Sequence, residues 1–146
     1  MKELPNKLSD LLEVALEDLG KCEKDERYFI DMGDWHEPFH GGRCSVCMTG
    51  AVMAKSLDVR SSIQAYPSSF DVDTMNKLLA INDIVFGSIW KAIKLMNPTT
   101  DRLQEAVALM KKKGDAYFDP MSYSRNPRMF KVDIQRIIKA LRKYKL

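Results

Sequence analysis

A chain of 146 residues, 45% hydrophobic and 29% charged, has the composition of an ordinary globular protein and the length of one domain spanning 1–146. At that size about 70% of the unfolded surface is buried on folding, so a core forms without disulfides or a structural metal. The 7 Gly and 6 Pro are too few for a collagen-like or disordered chain, no stretch has the roughly 20 apolar residues of a membrane span, and the charged N-terminus lacks a signal peptide's apolar run.

An odd count of 3 Cys fits a reducing compartment, so the expected setting is cytoplasmic, away from membranes. Charge is unevenly spread. Residues 1–37 carry 5 basic and 11 acidic groups, whereas residues 128–146 carry 7 basic and 1 acidic. Either the basic end steers a polyanion, or the two ends pack side by side.

In chain order, Leu8, Leu11, Leu12, Ala15, Leu16 and Leu19 recur at helical spacing, with Gly20 placed to stop the helix. Residues 21–42 lose that period among charges, aromatics and three Gly and read as a long irregular connection, with a short strand at Tyr28 to Asp31. Residues 43–57 form a helix with a small-residue side of Cys47, Gly50, Ala51 and Ala54, a face that would suit a second helix of this chain or of a homodimer.

Asp71 or Asp73 caps a long apolar helix over 74–96, in which Gly87 marks a close crossing or a break. Thr99 or Thr100 starts another, with Leu103, Ala106, Val107 and Met110 as its stripe and Gly114 as its stop. Residues 115–128 read as a packed loop. A final helix from about 129 to 144 sets Phe130, Ile134, Ile137, Ile138 and Leu141 against the core. The expected fold is all-α, or mostly α: a compact bundle of about five helices with long irregular loops at 21–42 and 115–128.

One segment concentrates chemistry. His36, His40, Cys44 and Cys47 follow an H-x3-H-x3-C-x2-C spacing, and imidazole nitrogen with thiolate sulfur is a sufficient tetrahedral ligand set for zinc. A thiol reading uses Cys44 at a helix start, where the dipole and Arg43 favour thiolate, with His36 or His40 as base. Against both stands core packing, in which Cys47 serves as a small buried residue and His36 pins the loop. On the last helix, Lys131, Arg136, Lys139, Arg142 and Lys143 are candidates for nucleic-acid phosphates, or simply a solvated face. No Walker-type or G-x-G-x-x-G loop is present.

The blocks W-H-E-P with C-S-V-C-M-T-G-A-V-M-A, within Trp35 to Ala54, and L-L-A-I-N-D-I-V-F-G-S-I-W-K-A, from Leu78 to Ala92, resemble a family of small uncharacterised proteins encoded by tailed bacteriophages. Together they cover about a quarter of the chain. His40 and the Lys111 to Lys113 run are not features of that family. The resemblance implies a phage origin and a host-cytoplasmic setting, with no reaction attached. The expected function is that of a non-enzymatic accessory protein that binds a host or phage macromolecule. The alternatives are a zinc- or thiol-dependent enzyme centred on His36, Cys44 and Cys47, and a nucleic-acid-binding protein using the basic C-terminal helix.

Overall fold

The computed structural model describes residues 3–33, 35–38, 43–59, 70–114 and 122–146. Among them the chain is mostly helical, in the order α1 (Leu8–Glu23), β1 (Tyr28–Ile30), β2 (His36–Pro38), β3 (Cys44–Val46), α2 (Met48–Lys55), α3 (Val72–Val85), α4 (Ile89–Met96), α5 (Asp101–Lys112), α6 (Ser122–Arg125) and α7 (Pro127–Lys143). The mostly α expectation holds, with seven helices rather than about five.

The first helix supplies the central apolar face, with Leu8, Leu11, Leu12, Ala15 and Leu19 all fully buried. It does not stop at Gly20 but runs on to Glu23, because Cys22 is buried against the same core and holds the last turn in place. Residues 21–42 are correspondingly less irregular than their composition suggests. Strand β3 lies between the other two, parallel to β1 and antiparallel to β2. Three-residue strands are too short to display an alternating pattern, so the sheet left no mark in the periodicity beyond the Tyr28 strand.

The helix expected over 43–57 is shorter, since Cys44 to Val46 is taken by the sheet and α2 begins at Met48. Every residue from Met48 to Ala54 is buried, so Gly50 and Ala54 are covered within the single chain. The helix expected over 74–96 is broken in two. Gly87 takes φ +77°, a left-handed conformation that suits glycine, and this turns the chain between α3 and α4. Asp71 caps α3 by accepting from the Thr74 N–H at 2.6 Å, and Thr100 caps α5 by accepting from the Leu103 N–H at 3.1 Å.

Of the loop expected over 115–128, residues 115–121 lie outside the described residues, while Ser122 to Arg125 form the short α6. The last helix begins two residues earlier than its period suggested. Pro127 fits its first turn and Asn126 caps it by accepting from the Met129 N–H at 3.2 Å. Its far end is closed by Lys145 at φ +61°, which lets the Leu146 N–H reach the Leu141 carbonyl at 2.9 Å. Ser9 Oγ donates to the Leu146 carbonyl at 2.6 Å and so ties α1 to this end. The buried Lys77 ammonium performs a similar task near the other end of the chain, donating to the Leu4 carbonyl at 2.8 Å and to Asn6 Oδ1 at 2.9 Å, and pairing with Asp73.

Candidate functional site

The cysteine segment is built into secondary structure. Cys44 sits in the middle strand with Pro38 as its backbone partner, and His36 is paired with Val46. Of His36 only the backbone is described, and His40 lies outside the described residues. No group of three or more His, Cys, Asp or Glu side chains among the described residues is placed to hold a metal ion. None of Cys22, Cys44 and Cys47 is in a disulfide.

The thiol reading needs Cys44 at a helix start, and the structure corrects this premise. Strand β3 separates Cys44 from the first turn of α2, and the residue at the cap is Cys47. Cys47 Sγ accepts from the Gly50 N–H at 3.4 Å and is 1% exposed. Burial pushes its thiol pKa up, against the thiolate that nucleophilic or metal chemistry requires. Arg43 is likewise occupied: its guanidinium donates to the Glu26 and Tyr28 carbonyls at 3.0 Å each and lies over the Phe29 ring. The Trp35 indole N–H reaches Asn82 Oδ1 at 2.9 Å and pins the sheet to α3. As described, Cys47 and its neighbours form a structural corner.

A second polar group lies where α1 meets α2 and β1. Asp25 accepts from the Arg27 side chain and from Lys55 Nζ at 2.7 Å, and these bonds hold its carboxyl well below the usual range. Asp18 is buried and bonded by Ser56 Oγ at 2.5 Å, yet desolvation still raises its pKa. Burial also pushes the neighbouring Cys22 thiol up to about 11. These groups are satisfied by one another. They join α1 to α2.

The basic helix divides into two zones. Lys131 is ion-paired with Glu23, which also accepts from the Tyr123 hydroxyl at 2.9 Å. Arg142 pairs with Asp10 at 3.3 Å and with Glu13. Arg136 donates to the Gly114 carbonyl at 3.1 Å. Thus the acidic and basic ends of the chain do pack side by side. Of the five cations proposed for phosphate contact, Lys139 and Lys143 have no ion pair among the described residues.

The largest cleft among those described lies between α5 and the C-terminal end of α7, with a volume of about 840 Å³. Pro98, Leu103, Ala106, Leu109, Tyr144 and Leu146 give it an apolar lining. Arg102, Lys112, Lys143 and Lys145 add four cationic side chains, against a single acidic side chain, Glu105, among the described residues. Leu103, Val107 and Met110 anchor α5 in the core, while Leu109 is 44% exposed. The Tyr144 hydroxyl, in the cleft wall, is buried and has no hydrogen-bond partner among the described residues. Sequence reasoning did not single out this site. The available signal was that Leu109 falls off the Leu103–Val107–Met110 stripe, leaving an apolar residue on a second face of α5.

Compared with protein families, curated proteins and solved structures, the chain matches none. No helix among the described residues is long and apolar enough to cross a membrane.

Proposed function

We propose that this chain is a non-enzymatic interaction protein that uses the α5–α7 groove to bind an acidic, apolar-bearing segment of another protein. The carrying observation is the groove itself, about 840 Å³ of largely apolar space with four cationic side chains and one acidic side chain among the described residues around it. Its volume is in the range of built binding sites, and its charge selects an acidic partner that supplies apolar anchors. The phage origin and host-cytoplasmic setting are part of this proposal and rest on the two sequence blocks at Trp35 to Ala54 and Leu78 to Ala92. The burial and capping role of Cys47 favour this reading over a thiol-dependent enzyme.

The test compares variants rather than relying on capture alone. Tagged wild-type protein and the groove variants Ala106→Trp and Lys143→Glu are used to recover partners from phage-infected cells, with Lys139→Glu as a control outside the groove. A partner retained by the wild type and the control, but lost by both groove variants, supports the proposal. A partner retained by both groove variants overturns it. So does a Cys44→Ser variant that folds normally and loses all function in an infection assay.

A further inference from the structure

We infer that the partner segment lies in the α5–α7 groove as an amphipathic α-helix of about three turns, with acidic residues along its flanks. This deepens the proposed function and rests on the groove being the docking surface.

The argument begins with backbone hydrogen bonding. The described residues lining the groove come from 97–112 and 143–146, so the walls they form are helices and their ends. No strand of the sheet, whose outer members β1 and β2 would be the places to add a further strand, is among the described residues that line it. A peptide laid there in extended form would set its N–H and C=O groups over Pro98, Ala106 and Leu109 with no strand to pair with, and unmet backbone groups are costly. A helix meets those bonds internally and presents only side chains to an apolar floor.

Length and charge agree with this geometry. The lining positions on α5 run from Arg102 to Lys112, about 15 Å at the helical rise per residue, so a segment of about ten residues lies alongside. Anchors at i, i+3 or i+4, and i+7 would then meet the floor between Leu103 and Leu109. Arg102 and Lys112 stand near opposite ends of α5, and Lys143 and Lys145 come from the other wall. Cations on both walls favour carboxylates on both flanks of the bound helix, with Glu105 as the one position where a basic residue is preferred.

The experiment uses fluorescence anisotropy with the full chain and three labelled peptides of about fourteen residues. The first has leucines at i, i+3, i+7 and i+10 with glutamates between them. The second is the same peptide with two central prolines, and the third replaces glutamate by lysine. Binding of the first peptide, with a gain of helical circular dichroism and affinity at least about tenfold above that for the other two, supports the inference. The same loss should appear with Lys112→Glu, Lys143→Glu protein, whose substitutions are on exposed side chains, and with Ala106→Trp.

Equal affinity for the proline peptide, lost in the same variants, overturns the helical mode while leaving the groove as a docking surface. Absence of binding by both acidic peptides, or binding unaffected by the groove variants, overturns the inference together with the reading on which it rests.

Discussion

The two sides of α7 carry the same kinds of residue and do different things with them. Toward α1, Arg142 meets Asp10 and Glu13, Lys131 meets Glu23, and the smaller cleft there, about 370 Å³, contains both Glu13 and its partner Arg142. Toward α5, Lys143 and Lys145 border a cleft more than twice as large in which Glu105 is the only acidic side chain among the described residues. A charge run is therefore not a functional unit. What matters is whether the facing element pairs the cations, and α1 carboxylates do so where, among the described residues, no α5 carboxylate does.

The largest expected effect comes from the core beneath both sides. Phe130 is fully buried and meets the Tyr123 ring edge-on at 5.4 Å. Truncation to Ala should destabilise the protein by about 3–5 kcal/mol, read from urea denaturation, and loosen the α1 pairs and the groove together. A loss under about 1 kcal/mol would show that α7 is not docked through this residue.

Acid should probe the charged end of α1 next. Because the Asp25 carboxyl is held below its usual range, its contribution is full above that range and is lost as pH falls from there down through the lowered value. Asp18 has the opposite sign: its pKa is raised, so its contribution is full at low pH and lost as pH rises through the raised value. Asp25→Asn should accordingly flatten the acid limb of a stability-against-pH curve, and Asp18→Asn should remove a gain on mild acidification. If both variants parallel the wild type, the hydrogen bonds assigned to these carboxylates do not persist in solution.

A charge-reversal pair sharpens the comparison directly. Arg142→Glu places three acids together on the α1 side and should lower the thermal midpoint at low salt, with the deficit shrinking as salt is added. Lys143→Glu, one residue along, should leave the midpoint unchanged, because no ion pair among the described residues depends on it. Equal effects from the two would erase the distinction between the sides.

The smallest effect is expected at the groove wall. Tyr144→Phe removes a buried hydroxyl that has no partner among the described residues, so stability should hold or rise by about 1 kcal/mol in the same denaturation assay. A clear loss would mean that the hydroxyl is bonded in solution.

Much of the fold was legible because helices of two or more turns repeat their buried positions. The Leu8 to Leu19 stripe and the Phe130 to Leu141 face could be read directly, and the cap of α5 was narrowed to Thr99 or Thr100. The sheet was not legible beyond Tyr28, since three residues cannot establish a period, and the start of α2 was misplaced because Cys44 to Val46 suits either state locally. Pairing with β1 and β2 decided it. The same decision moved Cys44 away from the helix start and gave the cap to Cys47. The candidate site was almost invisible: its described residues come from 97–112 and 143–146, and neither stretch alone has a motif.

By itself, then, the sequence determined a mostly helical single chain with an acidic beginning and a basic end, because spacing and composition are local properties. Only the tertiary structure decided which cations would be neutralised and which would border an open groove, because that depends on which helix faces α7 at each point along its length.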